Sequence, residues 1–466
     1  MSIYIHLKKL YLISLVFIII ITFSRILIDY QFKYNFLNLC LSSLFLFICL
    51  SLIFYFLKFN ERNNDYPIFP LIIIYFTISY GFSLEFINSY LLENTDQSQI
   101  NITNIFNMLN FGILTFAVGY YIPKNFLKRK SYLKYCSLDN NKQLLLFALT
   151  LIFVNLINKF INFIPNSINQ VIMPTSSIGC AIVFYVVISS NNIFKYLLLF
   201  PVITLIVFEI SNSSYVYPGT ILLQYLIIYF MLKKKLPIFH FLIFLIFFIF
   251  LHSYKYDFRY YLNQQKNISY IKKTGILFDV YAKTSNYDSS IHAKRDRTND
   301  NTWRLAHPFS SLLIITKKTP NEIPYWNGYT YKILLSKFVP RIFWNDKPSD
   351  DIANLTGRRY LVLSQNDFKT SWNLPIFNEA YANFGIIGIF TIMFTLGIIV
   401  RILTNLTSIE NFKSLETYIG IYICSKTFFW EPHLSLVYGG ILNVIIFLYL
   451  ISIIYKLIIQ KVKFMK

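Results

Sequence analysis

Two cations, Arg341 and Lys347, lie on a short segment with a proline at each end, Pro340-Arg-Ile-Phe-Trp-Asn-Asp-Lys-Pro348. Proline fixes φ, so the segment can hold its charges with little conformational entropy left to lose. Trp344 adds an aromatic ring of the kind that prefers a membrane–water boundary. An arginine suits a phosphate because its planar fork donates two parallel hydrogen bonds. The segment therefore indicates a site for an anionic group.

More cations follow in the same polar stretch, namely Arg358, Arg359 and Lys369. Adjacent residues on a helix point in different directions, so one arginine of the pair could face a phosphate while the other faces solvent. An alternative stays open for every one of these cations, Arg341 included. Each could be an ordinary surface charge or an anchor for lipid headgroups.

Glu379 and His433 are candidate general bases. Glu379 stands where an apolar run begins, and His433 lies in the short hairpin between the last two apolar runs. A carboxylate or an imidazole within hydrogen-bond reach can take a proton from a sugar hydroxyl. Each also has a structural alternative, since the helix dipole favours a carboxylate near a helix N-terminus. His307 is a further candidate base, and Trp344 and Tyr381 are candidate substrate-positioning residues.

The composition predicts an all-α integral membrane protein. Of the 466 residues, 55% are hydrophobic and only 14% are charged, whereas soluble proteins carry about 25% charged residues. The apolar runs reach about 20 residues, which is enough to cross a bilayer. The net charge of +21 does not indicate nucleic-acid binding, because no soluble basic domain is present. Positive charge in short loops between apolar runs is instead a signal of topology.

No motif in the sequence indicates a metal or a cofactor. The five cysteines have no metal-ligand spacing, and neither a GxxxxGK[ST] loop nor an HExxH sequence occurs. No cytoplasmic domain is large enough to bind a nucleotide sugar. We therefore expect the chain to work without a metal and without a cofactor.

Twelve membrane spans are predicted, and the charges of their connecting loops alternate. Lys and Arg occur in the loops after residues 57, 122, 232 and 400 and are absent from those at 85–102, 164–170, 211–216 and 431–434, so the positive-inside rule places both termini in the cytoplasm. The predicted spans are 9–28, 36–57, 67–84, 103–122, 143–163, 171–190, 195–210, 217–232, 237–252, 377–400, 414–430 and 435–456.

The same topology places residues 253–375 outside. This segment holds 19 Lys and Arg residues, but long segments cross the membrane largely regardless of charge. It also holds four of the five tryptophans, which a disordered linker would lack. We predict a cap of short helices, preceded by nine spans in 1–252 and followed by three in 376–466.

The segment from Pro340 to Pro348 resembles a stretch in the large periplasmic loop of Wzy-type O-antigen and capsule repeat-unit polymerases. Glu379-Ala-Tyr-Ala-Asn-Phe-Gly385 is similar to the Glu-x-Tyr-x-Asn-Phe-Gly segment that enters the next span in that group. Twelve spans with one large outer loop late in the chain also resemble the architecture of the family.

This resemblance implies a membrane-embedded glycosyltransferase of the GT-C type at the periplasmic face of the bacterial inner membrane. Its substrate would be an undecaprenyl-diphosphate-linked oligosaccharide. One repeat unit attacks the anomeric carbon of the growing chain, and undecaprenyl diphosphate leaves. The implied partners are this substrate, membrane lipid and a chain-length regulator protein, with no nucleic acid.

On the same resemblance, preorganised cations would stabilise the charge that develops on the diphosphate. The cations concerned are Arg341, Lys347, Arg358 and Arg359. Glu379 or His433 would take the proton of the acceptor hydroxyl.

Two other functions stay open. An O-antigen ligase also uses an outer loop and an undecaprenyl-diphosphate donor, although the two segments above favour the polymerase. A lipid-linked oligosaccharide flippase would resemble two pseudo-repeated six-span halves with charges along a central cavity. This chain instead concentrates its polar residues in one outer segment.

Overall fold

The computed structural model describes most of the chain. The described residues are 16, 19–20, 35–60, 66–86, 96–125, 141–161, 164, 166–233, 235, 237–253, 258–259, 261–262, 268–282, 297–337, 339, 344, 346–348, 351–406, 412, 414–427 and 432–464.

This part of the chain is helical and contains no β-strand. The helices are α1 Phe36–Asn60, α2 Ile68–Phe76 with a π-helical continuation Thr77–Gly81, α3 Asp96–Tyr121, α4 Asn141–Ile161, α5 Asn166–Ser189, α6 Leu199–Ser211, α7 Val216–Lys233, α8 Ile238–Ser253, α9 Tyr270–Ala282, α10 Arg297–Lys318, α11 Tyr329–Ser336, α12 Ile352–Arg359, α13 Ile376–Leu406, α14 Leu415–Thr427 and α15 Leu434–Phe464. A single turn at Ser83–Phe86 and two 3₁₀ segments, Ile122–Asn125 and Ile193–Leu198, complete the set.

Among the described residues, seven helices are long and apolar enough to cross a membrane. Helices suit lipid because they satisfy their backbone hydrogen bonds internally. The seven segments are Phe36–Lys58, Ile102–Tyr121, Lys142–Ile161, Ile172–Ser189, Ile193–Ser211, Val216–Lys233 and Ile376–Asn405. The chain is therefore an all-helical protein with the composition of an integral membrane protein.

These seven agree with seven of the twelve predicted spans. Three further predictions correspond to shorter apolar helices, Ile68–Gly81, Ile238–Leu251 and Leu434–Leu450. The span predicted at 414–430 is the 13-residue helix α14, which alone is too short to cross the hydrocarbon core. Almost all of the span predicted at 9–28 lies outside the described residues. Twelve spans therefore remain a prediction.

The chain divides into two compact units. The first contains Met1–Tyr132, Asn299–Ile409 and Lys426–Asn443, and the second contains Leu133–Thr298, Glu410–Ser425 and Val444–Lys466. The predicted outer segment 253–375 contributes to both units, and its described part includes the helices α9 to α12. The predicted boundaries at 252 and 376 describe membrane topology, and that topology stays a prediction.

In the first unit, α3 packs along α13, and glycines let the two backbones approach closely. A Cβ atom on Gly119 would overlap the carbonyl oxygen of Phe394, and one on Gly397 would overlap the carbonyl oxygen of Phe116. Small residues at such crossings are typical of membrane helix pairs. This contact fixes α13, whose first turns carry the candidate site.

The second unit is built around the packing of α4 on α5 and of α7 on α5. Helix α9 lies against α6 through a small hydrophobic cluster. The cluster consists of Ile210, Leu251, Phe258, Leu277 and Val280. It positions α9 beside the turn that links α6 to α7.

Candidate functional site

Helix α13 contains a sharp corner at Gly385, where φ is 65° and ψ is −146°. This left-handed conformation favours glycine because a side chain there is strained. The Tyr325 hydroxyl fills the adjacent space, only 2.7 Å from where a Cβ atom on Gly385 would lie. The corner separates a short N-terminal part, 376–384, from the long apolar part, 386–406.

Asn383 attaches the loop that precedes α11 to this corner. Its Oδ1 accepts a hydrogen bond from the Gly328 backbone N–H at 3.0 Å, and its Nδ2 donates to Thr330 Oγ1 at 2.8 Å. Two backbone bonds strengthen the attachment, because Trp326 N donates to Ala382 O and Asn327 N donates to Asn383 O. The loop and the start of α13 therefore form one rigid element.

Tyr381 and Phe384 lie in the N-terminal part of α13 and contact different residues. Phe384 stacks on Tyr331 with 6.2 Å between ring centroids. Tyr381 is buried and its hydroxyl donates a long hydrogen bond to the Thr319 carbonyl at 3.4 Å. Tyr381 also lines an open cavity of about 330 Å³, which agrees with its predicted role in positioning a substrate. The other lining residues are Asn104, Ile105, Asn107, Met108, Phe111, Thr316, Ile386 and Phe390.

Glu379, a predicted base, lies buried in the first turn of α13. Its Oε2 accepts a hydrogen bond of 2.7 Å from the backbone N–H of Leu434, the first residue of α15. A carboxylate is favoured there by the helix dipole and by the unsatisfied N–H groups of the first turn. The structural alternative foreseen for Glu379 therefore applies twice, because the carboxylate lies in the first turn of α13 and also accepts a hydrogen bond at the start of α15.

The same contact brings the two predicted bases into one place, because His433 immediately precedes Leu434. His433 is also buried, with 1% of its surface exposed. Tyr331 adds a buried hydroxyl beside them, and burial together with the negative charge of Glu379 raises its pKa well above the usual value. The phenol of Tyr331 therefore stays protonated and can act only as a neutral hydrogen-bonding group.

The two arginines of the predicted pair contact different parts of the first unit. The Arg359 guanidinium lies over the Trp326 ring at 4.2 Å, and its Nη2 donates to the Pro324 carbonyl at 2.6 Å. The Trp326 ring stacks in turn on Tyr329, with 5.1 Å between centroids. Arg359 is thus joined to the corner through the loop that Asn383 holds.

Arg358 turns away from its neighbour, toward the turn at residues 367–370. Its guanidinium lies over the Phe368 ring at 4.4 Å, and its Nε donates to Asn354 Oδ1 at 2.9 Å. Asn354 donates to the carbonyls of Asp367 and Thr370. These contacts give Arg358 a role in holding its own loop together.

Only part of the proline-bounded segment is described. Arg341, the cation on which the sequence argument depends most, lies outside the described residues. Trp344 is 40% exposed, as an aromatic anchor would be. The Lys347 ammonium donates to the Val339 carbonyl at 2.8 Å, so its described hydrogen bond closes the loop that contains it.

His307 is buried in α10 and makes a T-shaped contact with the Trp372 ring, with 5.9 Å between centroids, which is a packing position. Within the described ranges, no group of three or more His, Cys, Asp or Glu side chains could hold a metal ion.

A family model for a domain of unknown function, DUF8712, matches residues 69–466. The chain belongs to this family. No curated protein and no solved structure matches the chain. The matched range includes the corner of α13, the loop that it holds and the start of α15.

Two features of this DUF8712 chain were not foreseen from its sequence. The first is the loop from Tyr325 to Tyr329, whose aromatic rings around Asn327-Gly328 are a turn signal next to polar residues. The second is Arg401, which directly follows the predicted span 377–400. In the structure α13 continues to Leu406, and Arg401 is buried against Tyr120, with its guanidinium 5.3 Å from that ring.

Proposed function

We propose that this chain is a Wzy-type polymerase. It would join undecaprenyl-diphosphate-linked oligosaccharide repeat units into O-antigen or capsular polysaccharide. The observation that supports this most is the corner of α13, where Glu379 is hydrogen-bonded to the residue that follows His433. The segment that carries the family resemblance is therefore also the segment that gathers the candidate bases.

The proposal includes a topology. The twelve predicted spans make a GT-C-like membrane domain in the bacterial inner membrane, with both termini in the cytoplasm and residues 253–375 in the periplasm. Lipid-linked repeat units are presented on that side of the membrane. The alternation of Lys and Arg between the short loops supports this orientation.

The reaction needs a proton acceptor and a site for the leaving group. The acceptor hydroxyl oxygen attacks the anomeric carbon while the bond from that carbon to the diphosphate oxygen breaks, and its electron pair leaves with undecaprenyl diphosphate. Arg359 and Arg341 would stabilise the charge on the diphosphate, since a guanidinium stays charged and donates in a fixed fork. Glu379 or His433 would accept the proton.

Burial sets a condition on the base. Glu379 is 0% exposed and His433 is 1% exposed, so a substrate must enter the corner before either can act. Hydrogen bonds at catalytic groups often reach their working geometry only with substrate bound. The cavity beside Tyr381 supports an approach from the α3 side of α13.

Deleting the gene tests the proposal in cells that make O-antigen. The polymerase function predicts that the polysaccharide ladder is lost while single repeat units are still attached to the lipid A core. Absence of any attached unit would instead indicate a ligase or a flippase. An unchanged ladder would exclude all three functions.

A further inference from the structure

Two cations, Arg259 and Lys273, converge on one turn in the second unit. The turn, residues 212–215, links the end of α6 to the start of α7. Arg259 reaches it from the helical residues near 258 and Lys273 reaches it from α9, while Lys159 on α4 pairs with Glu209 near the end of α6. Ser213 at the turn adopts a left-handed φ of 57° without being a glycine.

Arg259 and Lys273 donate to neutral oxygen atoms of this turn. The Lys273 ammonium donates to Asn212 Oδ1 at 2.8 Å. The Arg259 guanidinium donates from Nε to Ser213 Oγ at 2.7 Å and from Nη2 to the Ser213 carbonyl at 3.4 Å. The turn thus holds both cationic groups through adjacent residues.

The lysines near the turn have different partners, since that of Lys159 is charged and that of Lys273 is neutral. Lys159 is paired with Glu209, and both side chains of that ion pair are buried. The ammonium groups of Lys159 and Lys273 each lie 5.0 Å from the centroid of the Tyr270 ring. The described ion pair of Glu209 is with Lys159, while the hydrogen bond of Lys273 within the described residues goes to an amide.

Lys273 is half-buried and its described partner is a neutral amide, so its ammonium group can still bind an anion. An ammonium group has three donors, and the bond to Asn212 uses one of those of Lys273. A charge held away from bulk water gains most from an anion placed against it. The turn connects two apolar segments, Ile193–Ser211 and Val216–Lys233, so it lies where those segments would reach lipid headgroups.

We propose that Lys273 and Arg259 bind a phosphate group over the turn 212–215. A phosphate fits because it offers several acceptor oxygens to an ammonium and a guanidinium at once. Two sources carry this chemistry at a membrane surface, a phospholipid headgroup and the diphosphate of a polyprenyl-linked molecule. The site belongs to the second unit and does not depend on the proposed polymerase function.

Binding measurements on the purified full-length chain in detergent test the site. The probes are phosphatidylglycerol and farnesyl diphosphate, each titrated and followed by native mass spectrometry. Lys273→Gln removes one of the two positive charges at the site, and Lys272→Gln is its matched control because Lys272 is the exposed neighbour on the same helix. We expect about tenfold weaker binding of at least one probe for Lys273→Gln, as for loss of a charged hydrogen bond, and a change under about twofold for Lys272→Gln.

Asn212→Asp gives a second test that keeps the shape of the turn. The new carboxylate would pair with Lys273, so phosphate binding should fall while the melting temperature is maintained. Weakening for farnesyl diphosphate alone identifies a polyprenyl diphosphate site, and weakening for phosphatidylglycerol alone identifies a headgroup site. Equal affinities for the wild type, Lys273→Gln and Asn212→Asp would overturn the proposal, as would equal weakening by Lys272→Gln.

Discussion

The Glu379 carboxylate accepts a hydrogen bond from the backbone N–H of Leu434, with 2.7 Å between Oε2 and N. This bond connects the first turn of α13 to the first turn of α15. It satisfies a backbone group that would otherwise be buried at a helix start. Glu379 therefore stabilises the corner, and the proposed function assigns it or His433 a second role as the base.

Substitutions at Glu379 separate these two roles. Glu379→Gln keeps an oxygen that can accept from Leu434 but removes the charge and the basicity. We expect a loss of stability below about 1 kcal/mol, together with loss of the polysaccharide ladder. Glu379→Ala leaves the N–H without its acceptor, and we expect a cost of about 1–3 kcal/mol. Thermal unfolding in detergent and gel analysis of the polysaccharide measure the two effects.

A full-length ladder from Glu379→Gln at normal protein level would remove Glu379 from the chemistry. His433→Gln is then the informative variant, because His433 adjoins the same hydrogen bond. Loss of the ladder in the His433→Gln variant would identify His433 as the base.

The arginine pair gives a second prediction, because its members have different neighbours. Arg359→Lys keeps the positive charge but loses the planar contact with Trp326, and we expect about tenfold weaker use of the lipid-linked substrate. Arg358→Lys is the matched control, since Arg358 contacts Phe368 and Asn354 instead. The initial rate of polymer formation as a function of substrate concentration provides the comparison. A larger effect from Arg358→Lys would contradict the assignment.

The sequence was informative about helices and about the segment at 379–385. Apolar runs predicted the seven long helices because lipid requires continuous apolar length and internally satisfied backbone groups. The turn at Gly385 and the amide of Asn383 lie within a segment that the sequence singled out. In the structure these two residues hold the loop at 325–329 in place, and no local sequence pattern indicates that contact.

A third prediction concerns the corner itself. Gly385→Ala places a side chain at φ 65° and against the Tyr325 hydroxyl, so we expect a loss of at least about 1–2 kcal/mol. Gly275→Ala is the control, since a Cβ atom there meets nothing within 4 Å and alanine favours a helix. We expect the control to be neutral or more stable in thermal unfolding. Equal melting temperatures for the two variants would contradict the prediction that a side chain at Gly385 destabilises the protein.

Arg341 provides a fourth prediction, drawn from the sequence alone. Arg341→Ala should abolish the ladder at normal protein level, and Arg341→Lys should impair it because charge is kept while the fork is lost. Immunoblotting of membranes controls for the amount of protein. A full-length ladder from Arg341→Ala would remove Arg341 from the mechanism.

Features that depend on tertiary contacts could not be predicted. The burial of Arg401 against Tyr120 requires α13 to continue past residue 400, and the charge of the arginine itself suggested the end of a span. The sequence predicted that Arg358 and Arg359 point in different directions, but it did not indicate that Arg359 lies over Trp326, which belongs to a separate loop. The ion pair of Lys159 with Glu209 joins helices that are far apart in the sequence. In each case the deciding partner is distant along the chain.

Reconstitution tests the central claim most directly. The purified chain in liposomes would be supplied with the undecaprenyl-diphosphate-linked repeat unit extracted from cells lacking this protein. The polymerase function predicts products that grow by one repeat unit at a time, with release of one undecaprenyl diphosphate for each bond formed, and no product with Glu379→Gln. Substrate that stays monomeric with the wild-type chain, or that is transferred only when lipid A core is added, would contradict it.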